Sequence, residues 1–279
     1  MAIYRGMDQE ELERQYNARD TVPDVDIYLR QYAQLSEAAR TTCEVITDLS
    51  YGDHPDETYD LFPAGHDAPL LVFIHGGYWR ALGKDDSSFM AKCFVDAGIS
   101  VAAINYSLAP DASLDLIVNQ VRRCVRHLWS EADKLNIARD RIILCGTSAG
   151  GHLAAMAMDD PGNSGVIAGS CLISGLFDLE PIRLCLPNSW LKLDVEAARR
   201  NSPIRQALVC DHPVLVVWAG TDTGEFKRQS QDYASALQAQ NIQVSTLEIS
   251  DRNHFDIVLD LADPNRTITK ALLKLFRVG

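Results

Sequence analysis

The feature of this chain that most restricts its fold is a series of short apolar runs separated by longer stretches with a helical period. Short apolar runs of this kind are typical of parallel strands that helices cover on both faces. The runs lie at 70–74, 99–104, 142–145, 168–173, 214–218 and 244–249. The helical stretches lie near 86–97, 115–135, 149–158, 225–239 and 264–276. We therefore expect an α/β fold with a mostly parallel central sheet and helices on both faces.

Two segments before this alternating region have different patterns. Residues 8–40 show a helical period, which Pro23 must interrupt because proline breaks a helix. We expect an N-terminal helical arm over residues 1–40. The segments 43–46 and 58–62 have the composition of short strands and flank a turn-rich stretch, so they predict an antiparallel edge of the sheet.

Residues 175–213 interrupt the alternation with a mixed sequence punctuated by prolines. A single crossover helix would suffice to connect the two neighbouring strands. We predict an insertion of short helices that forms a lid over the carboxyl edge of the sheet, where open α/β sheets bind ligands. No Pro/Gly/Ser-rich linker isolates this segment, so the whole chain, 1–279, is predicted to be a single α/β domain.

Composition and charge limit the kinds of partner. The formal net charge of −12 argues against nucleic acid or an anionic membrane surface, since both attract clustered Lys and Arg, and a small molecule is the expected ligand. The seven cysteines include no C-x-x-C pair, which argues against a disulfide framework or a zinc ribbon. Residues 1–20 lack the apolar core of a signal peptide, and the expected location is the cytoplasm.

The segment 146–150, G-T-S-A-G, places one serine between two glycines. It follows a predicted strand and begins a predicted helix, which is the setting of a nucleophile elbow. At such a turn the serine takes a strained conformation, and bulky side chains two positions away would collide, so Gly146 and Gly150 meet the requirement. Ser148 is the predicted nucleophile. A plain turn between strand and helix is the alternative.

A serine nucleophile needs a base, and the base needs an acidic group to orient it. In this architecture the order along the chain is serine, acid, histidine, with each residue placed after a later strand. Asp222 and His254 lie just after the last two apolar runs, so they are the predicted acid and base. The alternatives are that Asp222 caps a helix, with Glu225 completing a capping box, and that His254 is a solvated loop residue.

Other acidic and imidazole side chains lie near these positions in the sequence. Asp178 follows a strand but precedes the insertion, so we expect it to cap a lid helix. Asp251 and Asp256 are too close to His254 along the chain to orient its ring. His152 lies one helical turn after the predicted nucleophile and is expected to be a structural imidazole packed behind the elbow. Four further histidines are expected in turns or at the surface: His54, His66, His127 and His212.

The first apolar run of the alternating region ends in a loop with two glycines, Gly76 and Gly77. Glycines after a strand leave backbone amides free to face a ligand, and in this fold the first such loop contributes one side of an oxyanion hole. The amide of Ala149, directly after the nucleophile, contributes the other side. A glycine turn that only buries Tyr78 and Trp79 is the alternative.

Together, the segments H-G-G-Y-W at 75–79 and G-T-S-A-G-G-H at 146–152 resemble those of kynurenine formamidases (arylformamidases), a branch of the α/β-hydrolase superfamily. The likeness covers the chain apart from the N-terminal arm. It implies hydrolysis of N-formyl-L-kynurenine to kynurenine and formate without a cofactor, with attack by Ser148, proton transfer by His254 and orientation by Asp222. A carboxylesterase acting on short acyl esters and a non-catalytic receptor on the same fold are the alternatives.

Side chains beside the predicted oxyanion loop and in the insertion are candidates for substrate binding. Arg80 and Lys84 are expected to attract a carboxylate of the substrate, with an ordinary surface charge as the alternative for Arg80. Tyr78, Trp79 and Trp190 are expected to line an aromatic pocket. The arm is compatible with two arrangements, docking across the pocket or across the interface of a homodimer.

Overall fold

The computed structural model describes residues 2–207 and 209–276, and these include one eight-stranded sheet. Its strands are β1 (Ile46–Ser50), β2 (Thr58–Phe62), β3 (Ala68–Ile74), β4 (Ser100–Ile104), β5 (Ile137–Thr147), β6 (Gly169–Ile173), β7 (Val214–Ala219) and β8 (Val244–Ile249). Their order across the sheet is β1-β2-β4-β3-β5-β6-β7-β8. β2 pairs antiparallel with both β1 and β4, and the other neighbouring pairs are parallel. The predicted, mostly parallel sheet is confirmed.

Helices pack on both faces of the sheet and cross its carboxyl edge. They are α1 (Gln9–Tyr16), α2 (Asp26–Thr42), α3 (Ala91–Asp96), α4 (Leu114–Ser130), α5 (Ala149–Met158), α6 (Glu180–Arg183), α7 (Asn188–Leu191), α8 (Val195–Arg200), α9 (Gly224–Ala239) and α10 (Thr267–Leu275). Short 3-10 turns occupy Ala18–Thr21, Lys84–Asp86, Pro161–Asn163, Pro203–Arg205 and Val258–Ala262. Within the described ranges, none of the helices combines the length and apolar character that crossing a bilayer requires.

Some elements begin later than their composition predicts. Helix α2 continues to Thr42, so the strand predicted at 43–46 starts only at Ile46. The helix expected from residue 264 begins at Thr267, because a turn that starts at Asp263 precedes it. Both differences arise where a neighbouring element or turn uses residues that local composition assigns to the next element.

The side chains of β3 show how the sheet divides the core. Leu70, Val72 and Ile74 face the layer that contains α4 and α5. Leu71 and Phe73 face the opposite layer, which contains α2, α3 and α10. All of these side chains are buried. The strand is thus covered on both faces, as its continuous apolar sequence predicts.

The N-terminal arm crosses the carboxyl edge of the sheet. Helix α1 packs with the α4/α5 layer, and α2 packs with the opposite layer. At the edge between them, the hydroxyl of Tyr78 donates to the carbonyl oxygen of Tyr16, and the hydroxyl of Tyr16 donates to Glu225. In α2, the hydroxyl of Tyr32 donates to the carbonyl oxygen of Phe255. The arm therefore docks on its own chain, against segments that follow β3, β7 and β8.

Residues 175–213, the insertion, contain the three short helices α6 to α8 and lie against the arm. The side-chain amide of Gln9 donates to the carbonyl oxygen of Leu184 at 2.9 Å. The backbone amide of Leu186 donates to the carboxylate of Glu13 at 3.0 Å. Arm and insertion thus cover the carboxyl edge of the sheet together.

Candidate active site

A strained serine lies between β5 and α5. Ser148 has φ 54° and ψ −118°, a region that residues with a side chain rarely adopt and that the surrounding structure must impose. Glycines two positions away make room for the turn. A Cβ atom on Gly146 would lie 2.1 Å from the carbonyl oxygen of Gly150, and one on Gly150 would lie 2.0 Å from that of Ile74. A side chain at either glycine would therefore displace the backbone.

The strained serine meets an imidazole and a carboxylate from later loops. Nε2 of His254 lies 3.0 Å from Oγ of Ser148, and Nδ1 lies 2.7 Å from Oδ1 of Asp222. The exposed fractions are 7% for Ser148, 5% for His254 and 6% for Asp222, so bulk water is largely excluded. A neutral imidazole with its proton on Nδ1 donates to Asp222 and leaves Nε2 to accept the serine proton. This arrangement can activate a serine hydroxyl for attack.

The orientation of Asp222 is fixed through its second oxygen. Oδ2 accepts hydrogen bonds from the hydroxyl of Ser174 at 2.6 Å and from the backbone amide of Ala219 at 3.0 Å. Oδ1 is thereby left to face His254. Sequence reasoning missed Ser174, which belongs to no motif. Its position just after β6, beside the strand that leads to the acid, was the only available signal.

The helix-capping alternative for Asp222 is not what the structure shows. The residue that precedes α9 is Thr223, and its side chain makes no capping hydrogen bond. Glu225 does not close a capping box; it accepts a hydrogen bond from Tyr16 at 2.8 Å and pairs with Arg228 at 2.6 Å. The carboxylate of Asp222 is therefore turned toward the imidazole rather than toward the start of α9.

The rival acids face other groups. Oδ1 of Asp256 accepts a hydrogen bond from the backbone amide of Asn253 at 2.7 Å, so it shapes the loop that carries His254. Asp178 lies one residue before the N-cap of α6, Leu179, and its Oδ1 accepts a hydrogen bond from the first amide of that helix, that of Glu180, at 3.2 Å. The ion-pair partners are Arg205 for Asp178 at 3.1 Å and Arg252 for Asp251 at 3.2 Å. These carboxylates form contacts that hold loops in place.

His152 and Trp79 form a buried pair behind the elbow. Nε1 of Trp79 donates to Nδ1 of His152 at 3.2 Å, and the rings meet edge to face with centroids 5.1 Å apart. Nε2 of His152 donates to the carbonyl oxygen of Asn201 at 2.7 Å. Burial lowers the pKa of His152 to about 4, so the imidazole stays neutral, as expected of a structural residue. Trp79 has no exposed surface. Trp79 therefore does not line a pocket, contrary to expectation. Its indole N–H has a buried acceptor, so the side chain supports the loop from behind.

One histidine lies deeper than the sequence suggests. His212 is 7% exposed, whereas a turn or surface position is expected from its neighbours. Its Nε2 lies 2.9 Å from the hydroxyl of Ser170 on β6, so the residue packs against the sheet just before β7. Burial lowers its pKa to about 4.

The loop after β3 brings two glycines close to the serine. A Cβ atom on Gly76 would lie 3.4 Å from Cβ of Ser148. Gly77 has φ 96°, and a Cβ atom there would lie 2.1 Å from the carbonyl oxygen of Ala81. Ala149 provides the first amide of α5, which has no partner inside the helix and lies at the positive end of its dipole. The backbone of Gly76 and the amide of Ala149 thus both lie beside the serine.

Three predicted substrate-binding residues form a cluster where the loop meets the insertion. The guanidinium of Arg80 lies 4.3 Å from the ring centroid of Trp190, whose Nε1 donates to the carbonyl oxygen of Tyr78 at 3.1 Å. Arg80 is exposed, and Trp190 is half-buried. Lys84 is not free for a substrate, contrary to expectation, because its ammonium pairs with the buried carboxylate of Asp60 at 3.0 Å.

Metal-ligating side chains are dispersed. Across residues 2–207 and 209–276, no group of three or more His, Cys, Asp or Glu is arranged to hold a metal ion. The seven cysteines are all free thiols, and all but Cys43 are buried. The described part of the chain therefore offers no set of residues to which a metal could be assigned.

Comparison with known proteins places the chain in a family. Residues 61–164 match the family model BD-FAE. The kynurenine formamidase of Danio rerio is 36% identical, and that of Salmo salar 33%, each over 99% of both chains. A solved structure from Silicibacter sp. TM1040, a protein suggested to be a thioesterase, is 29% identical with a TM-score of 0.83 over 94% of this chain and 99% of its own. The chain belongs to the kynurenine formamidase family, on the α/β-hydrolase fold.

Proposed function

We propose that this chain is a serine hydrolase that removes the formyl group of an aryl formamide. The proposed substrate is N-formyl-L-kynurenine, and the products are kynurenine and formate. The observation that carries the proposal is the chain of hydrogen bonds from Ser148 through His254 to Asp222. The full-length likeness to two kynurenine formamidases supports the choice of substrate.

In the first half-reaction Ser148 becomes formylated. Its Oγ attacks the formyl carbon while Nε2 of His254 takes the hydroxyl proton, and Asp222 stabilises the imidazolium that forms. The tetrahedral intermediate then collapses: His254 gives the proton to the aryl nitrogen, the carbon–nitrogen bond breaks, and the arylamine leaves. A formyl ester on Ser148 remains.

In the second half-reaction water releases formate. His254 removes a proton from a water molecule, and the resulting hydroxide attacks the carbon of the formyl ester. The new tetrahedral intermediate collapses when His254 returns the proton to Oγ of Ser148, and formic acid leaves and loses its proton to solvent. Serine and imidazole are back in their starting protonation states.

The negative oxygen of each intermediate needs donors that are already in place. Gly76, Gly77 and Ala149 are the proposed donors, through their backbone amides. Removing one such donor typically costs about 3 kcal/mol of transition-state stabilisation, which makes their placement as important as the base. The N-terminus of α5 adds a favourable dipole at the same point.

Selectivity is proposed to lie on the amine side of the substrate. A formyl carbon carries only a hydrogen besides its oxygen and nitrogen, so the acyl side needs little room, which suits a serine that is 7% exposed. The insertion is the proposed lid. At its contact with the oxyanion loop, the aromatic rings of Tyr78 and Trp190 and the charge of Arg80 suit an arylamine that carries a carboxylate.

A substrate panel with the purified full-length protein tests this proposal. We expect kcat/KM to be highest for N-formyl-L-kynurenine, lower for formanilide, which lacks the amino-acid side chain, and lower again for p-nitrophenyl acetate. Binding energy from the remote part of the substrate is what raises the rate for the first compound. Equal or higher kcat/KM for the ester would instead identify a carboxylesterase for short acyl groups.

Replacing Arg80 with glutamine is expected to raise KM for N-formyl-L-kynurenine about tenfold, because a charge-assisted hydrogen bond contributes about 1.5 kcal/mol or more. The KM for formanilide should not change, since this compound has no carboxylate. Arg199→Gln is the matched control, because it removes an exposed arginine from α8 of the same insertion. Equal losses on both substrates would mean that Arg80 acts only through its stacking on Trp190.

The same proposal extends to partners and location. A net charge of −12 supports a small molecule as the partner in preference to nucleic acid or an anionic membrane. Turnover of N-formyl-L-kynurenine would give the protein a role in tryptophan catabolism, for which a cytoplasmic location is proposed. A homodimer stays a prediction of the sequence.

A further inference from the structure

A buried tyrosine packs against the loop that carries the proposed oxyanion donors. Tyr106 follows β4, and His75 begins the loop after β3; each is 1% exposed. Their rings stack with centroids 4.1 Å apart and planes 8° from parallel. No step of the proposed reaction uses either side chain, although the pair is among the most completely buried polar groups of the chain.

Hydrogen bonds connect this pair of rings to two backbone carbonyls. The hydroxyl of Tyr106 donates to the carbonyl oxygen of His75 at 2.8 Å. Nδ1 of His75 lies 2.9 Å from the carbonyl oxygen of Gly76. A carbonyl can only accept, so the proton of the imidazole is assigned to Nδ1. Burial lowers the pKa of His75 to about 4, which keeps the ring neutral.

Because the peptide bond is planar, these two contacts also fix the direction of the backbone amides that follow each carbonyl. In a trans peptide unit the carbonyl oxygen and the amide hydrogen point in opposite directions. Anchoring the carbonyl of His75 therefore directs the amide of Gly76 away from the ring pair, and anchoring the carbonyl of Gly76 does the same for the amide of Gly77. Among the described residues, neither amide donates a hydrogen bond to another backbone group.

The loop needs such an anchor because of its glycines. Gly76 and Gly77 leave room for a close approach to Ser148 and Ala81, but glycine is also the residue with the most backbone freedom. Tyr106, in contrast, lies in a segment whose backbone is fixed by a hydrogen bond to a buried side chain. The next backbone amide, that of Ser107, donates to the buried side chain of Gln120 at 2.8 Å.

We infer that Tyr106 is a positioning residue of the oxyanion hole, acting together with His75 on the peptide units that present the amides of Gly76 and Gly77. The inference rests on the proposed function, in which these amides stabilise the oxyanion. It assigns no contact between Tyr106 and the substrate. The expected role is to keep the donors aligned before the reaction begins.

Tyr106→Phe tests the inference, because it removes the hydroxyl and keeps the ring. Losing one oxyanion donor costs about 10²- to 10³-fold in kcat, and a donor that is misaligned but present should cost less. We expect kcat to fall about 10- to 100-fold while KM stays within about twofold. The measurement uses both N-formyl-L-kynurenine and p-nitrophenyl acetate, since the oxyanion forms with either.

Tyr233→Phe is the matched control. Tyr233 is also fully buried, stacks on Phe177 with centroids 4.3 Å apart, and donates a hydrogen bond of 2.8 Å to Asp159. Removing the hydroxyl of Tyr233 should lower the melting temperature and leave kcat unchanged. If kcat of Tyr106→Phe stays within twofold of the wild type, or falls no further than that of Tyr233→Phe, the inference is overturned.

A second pair of variants covers the case in which Tyr106→Phe does not fold. His75→Asn keeps an N–H donor near the place of Nδ1, whereas His75→Ala removes it. The inference requires kcat of the asparagine variant to exceed that of the alanine variant at equal KM; equal kcat values would contradict it.

Failure of the proposed function can be told apart from failure of this inference. If the wild type hydrolyses the ester but no formamide, the proposed substrate is wrong, and the variants of Tyr106 and His75 can still be compared on the ester. For a wild type without turnover, the rate of phosphonylation by a fluorophosphonate gives the same comparison.

Discussion

Replacing Ser148 with alanine is expected to lower kcat for N-formyl-L-kynurenine by about 10⁴- to 10⁶-fold, as for other enzymes of this mechanism. The variant lacks the oxygen that forms the formyl ester, while the imidazole and the backbone donors stay in place. Alanine has the same Cβ atom as serine, so it crowds the strained turn no further and the melting temperature should be preserved. Initial rates at saturating substrate, together with a thermal melt, measure both quantities.

Ser230→Ala is the matched control for this experiment. Ser230 is fully buried in α9, and its hydroxyl has no hydrogen-bond partner among the described residues. Its removal should leave kcat unchanged. A fluorophosphonate should label the wild type and the control but not Ser148→Ala. Residual activity of Ser148→Ala within about 100-fold of the wild type would contradict the role of Ser148, because other triads lose far more.

Replacing Asp222 with asparagine is expected to lower kcat by about 10⁴-fold without unfolding the protein. The hydroxyl of Ser174 and the amide of Ala219 both donate to Oδ2, so the amide oxygen of the asparagine must occupy that place. Its NH₂ group then faces Nδ1 of His254 and forces the imidazole proton onto Nε2. In that tautomer the ring cannot accept the proton of Ser148.

Asp178→Asn is the control for the acid. Asp178 also follows a strand and is an alternative by sequence, but its carboxylate pairs with Arg205 at 3.1 Å, whereas Nδ1 of His254 bonds to Asp222. Its replacement should leave kcat within about twofold, as expected for a residue outside the reacting groups. Similar losses for both variants would mean that the acid has been assigned to the wrong loop.

The serine turn and the order of the proposed triad can be predicted from the sequence. The turn depends on residues close together along the chain, and the order of the triad depends on the order of the strands. Gly146 and Gly150 are each two residues from Ser148, so the clash that they avoid is a local one. Asp222 and His254 follow the apolar runs that form β7 and β8, and parallel strands bring their carboxyl ends to one edge of a sheet.

The contacts that support the proposed triad and the glycine loop could not be predicted from the sequence, because each joins segments that are far apart along the chain. Ser174 reaches Asp222 across 48 residues. Tyr106 reaches His75 across 31 residues, and Trp79 reaches His152 across 73. Trp79 shows the consequence most clearly. Beside a glycine loop, an aromatic side chain fits a ligand pocket and a buried support equally well, and only the position of His152 in space decides between them.

The docking of the arm also sets an order of events during synthesis. Tyr32 of α2 bonds to the backbone of Phe255, which lies 223 residues later. Because a ribosome delivers the chain from its N-terminus, α2 emerges long before the loop that carries Phe255. The hydrogen bond from α2 to this loop therefore cannot form until residue 255 has been translated. A nascent chain that stalls before residue 255 lacks this contact between the arm and the carboxyl edge of the sheet.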